Sequence, residues 1–418
     1  MYKKQSFFCR IFFVFLLIFF SYISSSIPIN LSVNPFKAYY LCFNSNSLLE
    51  DYIQNSANDC LPSLHVPSVL STPSFYWGRE IQSVVDNGFF AREKKPSFYI
   101  YAQQKKEFLS VGIIGEIDVK YLKTDLIKRH EETIPHKVEV YVENLKMQMA
   151  SFEPILLGYQ ASESIDDLVT KFMQNLPTYA YFTNDDVRHA IWVIDKDKSV
   201  EQISNLFSQV KHCYILDGHH RVASLCKIYD DILQYQKNGI QIPPNLKNLM
   251  YCKVALFPSH KIRILAYNRI LKNIPQLSED DFLKTLEKSF TIESVVHFNE
   301  SSLKQGVIGM YFKNEWFHLS PKKEFLLDNS LADNLDLSLI NNYLVKPIAK
   351  KYNIKKSDML EYVNSSVSCS ELESRCESTN AKAAFVFNPI SFETLSSVVN
   401  FGHMLPEKST WIEPKLNL

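Results

Sequence analysis

The chain has 418 residues, enough for one large or about two to three smaller domains, and its 46% hydrophobic and 22% charged content excludes disorder throughout. Its 45 basic and 45 acidic side chains balance, so no global charge draws it to nucleic acid. Only 10 glycines occur, and none falls in a G-x-G-x-x-G or G-x-x-x-x-G-K-S/T pattern, which removes the Rossmann and Walker routes to phosphate binding.

Lys3, Lys4 and Arg10, the uncharged run Ile11 to Ile23 and the serines Ser24-Ser25-Ser26 have the layout of a signal peptide, so residues 1–26 are expected to be a targeting segment. The run is short of the roughly 20 residues that span a bilayer, which favours cleavage over a permanent anchor. A secretory or organellar destination follows, with any membrane contact confined to this segment. Beyond Cys9 the cysteines are odd in number, and Cys213, Cys226 and Cys252 lie in apolar surroundings, as small core residues do. No disulfide scaffold is indicated.

Asn34-Pro35-Phe36-Lys37-Ala38 opens the globular region, and residues 44–75, rich in Ser, Asn and Pro, read as irregular surface. Ser97 to Tyr101 and Ser110 to Ile114 flank a charged turn and predict a hairpin. Lys120 to Met149 predicts two helices split at Pro135, the second with Val138, Tyr141, Val142, Leu145 and Met149 as its buried stripe. Ile191 to Ile194 predicts a strand, and Tyr251 to Phe257 and Ile262 to Tyr267 two more. From Ser278 a helix is followed by strands Ile292 to Phe298, Gly306 to Phe312 and Glu315 to Leu319, the last two joined through Lys313-Asn314. Asn364 to Lys382 reads as an exposed polar insertion before the apolar Ala383 to Phe387 and a Pro-rich tail.

The most informative stretch is Asp217-Gly218-His219-His220-Arg221. It lies between the apolar Cys213 to Leu216 and a helical pattern carrying Val222, Leu225, Cys226, Tyr229, Ile232 and Leu233. Gly218 permits a backbone conformation that other residues enter only at a cost, and the first amides of a helix are free donors on the positive end of its dipole. Arg221 offers a planar fork suited to phosphate, and the histidines can donate to an oxyanion or exchange a proton. Asp217 beside a phosphate needs a reason: a metal, a nucleophile's proton, or a helix cap.

Two further patches carry chemistry. His130-Glu131-Glu132-Thr133, before Pro135 and His136, joins an imidazole to two carboxylates and can supply a general acid/base or a metal ligand, although its spacing is not that of an H-E-x-x-H zinc helix. Lys408-Ser409-Thr410 sits on a proline-bounded loop where cation and hydroxyl can meet phosphate. Cys213, His219, His220 and Cys226 do not suggest zinc, because Cys213 belongs to the strand and Cys226 to the buried face of the helix, so convergence on one ion is not expected and no metal ligand set is assigned.

These segments together resemble the family known as domain of unknown function 1015, itself similar to the ParB/sulfiredoxin fold. The resemblance is carried by Pro35-Phe36-Lys37-Ala38, Pro96 to Tyr101, His130-Glu131-Glu132-Thr133, Glu153-Pro154-Ile155, Tyr214 to Arg221, Phe257-Pro258-Ser259-His260 and Met404 to Trp411 with Pro414-Lys415. It implies a mixed α/β fold, with a ParB/sulfiredoxin-like core over 34–275 and a further α+β region over 276–418. Lys261 stands where the family commonly has arginine, and the hydrophobic leader is foreign to a family that usually looks cytosolic, which leaves a cytoplasmic location as the alternative.

Sulfiredoxin-like proteins carry a cysteine where this chain has His219, so sulfinic acid reduction is not implied. ParB-like switches use adjacent arginines, and here Arg221 stands alone. The free serine kinase group shares an Asp-Gly-His-type turn, which implies a nucleotide, ATP or ADP with Mg2+, and a small hydroxyl substrate. On that reading Asp217, His220 and Glu131 are the acid/base candidates, while Gly218, His219, Arg221, Lys408 and Ser409 hold phosphate. The competing class is a non-catalytic, nucleotide-responsive regulator.

Overall fold

The computed structural model describes residues 30–41, 90–148, 153–183, 186–327, 330–413 and 415–416. The signal-like leader, Cys9, Cys42, Cys60, the stretch 44–75 and Met149 lie outside the described residues. Among those described, no helix is long and apolar enough to cross a membrane.

The fold is α/β, as the alternation of strand and helix patterns implies, and it is built on two large sheets. Strands β1 (Tyr39–Leu41) and β2 (Phe90–Arg92) form a small antiparallel pair. In the first large sheet are β3 (Phe98–Lys105), β4 (Phe108–Asp118), β5 (Ile127–Lys128), β6 (Ile155–Tyr159), β7 (Tyr179–Phe182), β8 (Arg188–Ile194), β9 (Cys213–Asp217) and β10 (Tyr251–Pro258). Their order is β5-β9-β6-β10-β4-β3-β8-β7. The predicted hairpin is β3–β4, closed through Lys106 at φ 53°.

Both faces of this sheet are covered, which is why its strands are apolar on both sides. Phe98, Ile100 and Ala102 point into one core, and the alternating Tyr99 and Tyr101 into another. Helices α1 (Pro135–Gln148), α2 (Glu163–Met173), α3 (Asp197–Phe207) and α4 (His219–Lys237) follow in chain order. Val142 of α1, Ile165 of α2, Ile203 of α3 and Leu225 of α4 all enter the core that holds Ile100. The opening segment is strapped to the sheet by Tyr99, whose hydroxyl accepts from Ala38 N (3.0 Å) and donates to Phe36 O (3.2 Å).

Short strands β11 (Arg263–Leu265) and β18 (Trp411–Glu413) pair with each other. Between them lie β12 (Tyr267–Leu271), β13 (Phe290–Val295), β14 (Ile308–Phe312), β15 (Glu315–Pro321), β16 (Leu360–Asn364) and β17 (Ala383–Val386). These make the second sheet, ordered β13-β15-β14-β17-β12-β16. It takes β12 from residues ahead of 275. Lys313 and Asn314, at φ 51° and 62°, close the predicted β14–β15 turn in the left-handed geometry that a two-residue hairpin needs. Helix α5 (Glu279–Ser289) starts at Ser278, whose hydroxyl accepts from Asp281 N at 3.1 Å.

Three expectations are corrected. Tyr141, expected in the buried stripe of α1, is exposed. Residues 120–134 do not form a helix. Asp118 caps a 3-10 turn over Val119–Lys123, Thr124 closes it onto Tyr121 O, and the chain then extends so that Ile127 pairs beside Cys213 in β5. Pro135 therefore begins α1 instead of splitting a longer helix, the position where its missing N–H costs nothing. The polar stretch 364–382 is not an exposed insertion either. It holds helix α6 (Cys369–Ser378), capped by Ser368, and buries Leu372 and Cys376 against the second sheet. One apolar pair at four-residue spacing is a narrow stripe, easily lost among charges. Helix α7 (Phe392–Asn400) covers the Tyr99 face of the first sheet.

Candidate functional site

Strand β9 and helix α4 meet at Gly218 alone, so the strand-turn-helix junction read from the sequence is present. Gly218 has φ 97° and ψ 22°, in the left-handed region, and caps the helix without any side-chain bond. Asp217 is thus not the cap; its carboxylate is half-exposed beside the turn, 3.5 Å from Lys415 Nζ and 3.9 Å from Arg221 Nη2. A Cβ on Gly218 would sit 3.2 Å from Arg221 Nε and Nη2. Gly218→Ala is expected to lower stability to urea by about 1–2 kcal/mol, because the left-handed backbone is strained for alanine and the guanidinium must give way. An unchanged unfolding midpoint would show that the turn relaxes freely.

The second loop arrives through strand pairing. β5 runs parallel to β9, with Ile127 opposite Cys213 and Lys128 opposite Tyr214, so residues 129–134 leave the sheet at the same carboxyl end as Asp217. This places His130 against His219, ring centroids 4.5 Å apart and edge to face. His130 is buried and its Nε2 lies 3.1 Å from Thr410 Oγ1. Burial pulls its ring down to about 4, against a small opposing pull from the Ile215 backbone. His219 is lowered well below the ordinary histidine range, first by burial and then by His130, His220, Arg129 and Lys408. Both rings are therefore neutral at pH 7.

A third segment closes over these two. Leu405 N donates to His130 O at 2.8 Å, and the Lys408 cation and backbone act electrostatically on the Glu131 carboxylate. Burial raises Glu131 above the usual carboxylate range; the Lys408 cation and amide oppose the rise, and Glu407 and Asp217 add to it. Asp217 and Lys408 thus both act on Glu131 although the three come from separate stretches of chain. His220 accepts from Ile134 N at Nε2 (3.1 Å), which leaves Nδ1 as the donor of the neutral ring.

Two clefts flank Glu131. One, of about 830 Å³, is lined by Glu131 and His219 together with Arg129 and Cys226; the other, of about 580 Å³, by Glu131, His220, Lys346, Lys356 and Lys408. The second carries both cations and carboxylates, Lys137, Lys346, Lys356 and Lys408 with Glu131, Glu132, Asp333 and Glu407, between the 131–137 segment and residues 332–356.

The family model described as "Protein of unknown function (DUF1015)" matches residues 78–338, more than half of the sequence. The chain belongs to this family. Among solved structures, the DUF1015 chain is similar to a free serine kinase in complex with AMP, at 12% identity and a TM-score of 0.37, over 71% of this chain and 86% of that one. It is similar to a conserved hypothetical protein from Pyrococcus furiosus (12%, TM-score 0.35, 71% and 89%). A third is SbnI with C-terminal truncation from Staphylococcus aureus (13%, TM-score 0.37, 72% and 82%). No curated protein matches.

Of the residues singled out in the DUF1015 sequence, Asp217, Gly218, His219, His220, Arg221, Glu131 and Lys408 converge. Two have prior commitments. Arg221 donates from Nη1 to Pro154 O at 3.0 Å and pairs with Glu153 at 3.1 Å, tying the helix start to the beginning of β6. Ser409 is buried and its hydroxyl donates to Pro406 O, so it shapes the turn that presents Lys408, itself at φ 55°.

The sequence reading missed Arg269. This β12 side chain is buried and donates to Tyr267 O (2.7 Å), Glu407 O (3.1 Å) and Lys408 O (2.9 Å). Its guanidinium also lies 4.5 Å from the Tyr362 ring centroid. The second sheet therefore holds the loop that carries Lys408. The available signal was an arginine inside a short strand otherwise made of Tyr267, Asn268, Ile270 and Leu271.

Proposed function

We propose that this protein is a nucleotide-phosphate-binding enzyme that transfers phosphate to a small hydroxyl substrate, in the manner of a free serine kinase, on a ParB/sulfiredoxin-like core. The observation that carries the reading is the meeting of two carboxylates, Asp217 and Glu131, with the Lys408 cation at the start of a 19-residue helix, beside a lysine-lined groove. Lys408, Lys346 and Lys356 supply charge for a polyphosphate, and the α4 amides supply donors for a developing oxyanion.

Asp217 is the base. It takes the hydroxyl proton as the substrate oxygen bonds to the terminal phosphorus, and the bond from that phosphorus to the bridging oxygen breaks to release the nucleotide one phosphate shorter, ADP from ATP or AMP from ADP. Arg221 and Lys415 orient Asp217 from either side. Glu131 is the second acid/base group, and His219 and His220 line the approaches. Magnesium, if it travels with the nucleotide, takes most of its ligands from phosphate oxygens and water.

The test is purified protein with ATP or ADP, with and without Mg2+, followed by melting temperature and by transfer of labelled phosphate to a panel of hydroxyl amino acids. ATP is expected to raise the melting temperature by mass action and to label an acceptor. Lys408→Ala should weaken nucleotide binding about tenfold, the loss of one charge-assisted contact. Tight binding without transfer would assign the site to a regulator. A melting temperature indifferent to every nucleotide would end the reading.

A further inference from the structure

Two buried ring nitrogens at this site have no hydrogen-bond partner, Nδ1 of His130 and Nε2 of His219. Leaving a buried polar atom unpaired costs about 1–3 kcal/mol, and two such atoms on rings in direct contact point to a shared guest. The Ile215 backbone lies near His130, but not in hydrogen-bond geometry with Nδ1. Glu131 is the third member: one ligand atom from each of His130, Glu131 and His219 lies within 4.8 Å of the others.

We propose that His130, Glu131 and His219 bind a divalent transition-metal ion of the zinc class. Two imidazoles and one carboxylate, with a position left for water, are a donor set suited to such an ion, whereas magnesium asks for oxygen ligands. Thr410 holds Nε2 of His130 and so fixes that ring with Nδ1 free, the task that outer groups perform for metal-ligating histidines.

Metal–nitrogen bonds of 2.0–2.1 Å in a tetrahedron bring ligand atoms to about 3.3 Å from each other, so the group must draw together. Glu131, on a loop and only half-buried, can supply that movement. The cleft of about 830 Å³ that Glu131 and His219 line gives a path of approach. Arg129 and Lys408 repel a cation here, and Glu131, Glu407 and Asp217 attract one. Cys226 also lines this cleft, but burial pushes its thiol up to about 11, which keeps it protonated and a poor competitor. The inference does not depend on the nucleotide reading. While a metal is held here, Glu131 is withdrawn from its role as the second acid/base group, and Asp217 is the base.

Full-length protein stripped with a chelator and titrated with cobalt(II) tests the site. One equivalent is expected to give the visible ligand-field absorption of a four-coordinate ion, without a thiolate charge-transfer band, and zinc is expected to displace it. Zinc but not magnesium should raise the melting temperature without nucleotide. Glu131→Gln, which keeps the side chain's size, should weaken cobalt binding at least tenfold, and Thr410→Val about tenfold. His219→Asn, with its fold checked by circular dichroism, should abolish the spectrum. Absence of both the cobalt spectrum and the zinc-induced melting shift overturns the proposal. So does a thiolate charge-transfer band, or binding that survives both Glu131→Gln and His219→Asn.

Discussion

Asp217→Asn is expected to lower phosphate transfer by about 10²- to 10⁴-fold, the usual worth of a positioned general base, while leaving nucleotide affinity nearly unchanged. The substitution preserves shape and removes only the proton acceptor. Asp217 is half-exposed, and its neighbours Arg221 and Lys415 lie at salt-bridge distance, not in tight hydrogen bonds, so the fold loses little. The loss should therefore fall on kcat with KM for the nucleotide near its original value, the pattern of an interaction made in the transition state. Glu153→Gln is the matched control. It removes a highly exposed carboxylate from the same arginine, an ion pair worth little in water, and should leave turnover close to wild type. Equal losses in both variants would mean that Arg221, not Asp217, is the group that matters. Full activity in Asp217→Asn would move the base to Glu131.

What the sequence disclosed about this site is what local rules govern. Cys213 to Leu216 is short and apolar, the stripe from Val222 to Ile232 repeats at helical spacing, and a glycine between them has one economical geometry, so the junction could be read without coordinates. The two-residue turns at Lys106-Glu107 and Lys313-Asn314 belong to the same class. The placement of His130 and Glu131 does not. It depends on β5 pairing in parallel with a strand that begins at Cys213, and β5 has only two residues, too few to show a period. For the same reason residues 120–134 resembled a helix: the run is charged and lacks glycine, and only Asp118 and Thr124 at its edges mark a single 3-10 turn. The polar atoms His130 Nδ1 and His219 Nε2 are invisible at the sequence level, because an unpaired buried nitrogen is a property of packing and not of residue type.

Arg269→Met should be the costliest single change outside the chemistry, lowering stability by about 3–5 kcal/mol and loosening nucleotide binding as well. Burial brings the Arg269 guanidinium down to about 10, still cationic at neutral pH, and its charge is met by carbonyl oxygens and the Tyr362 ring face. Methionine fills comparable volume but leaves the carbonyls of Tyr267, Glu407 and Lys408 without their donor, and each unmet acceptor costs about 1–3 kcal/mol unless water replaces it. Lysine is no substitute, since one ammonium cannot reproduce a planar fork spread over separate carbonyls. Two of those carbonyls belong to Glu407 and Lys408, in the turn that presents the Lys408 side chain near Glu131, so the stability loss and the binding loss have a common origin. Urea unfolding and nucleotide titration on Arg269→Met and Arg269→Lys measure both. A variant as stable as wild type but weak in binding would confine the arginine to positioning the loop, whereas one that unfolds early yet binds normally near saturation would show that Lys408 finds its place without the second sheet.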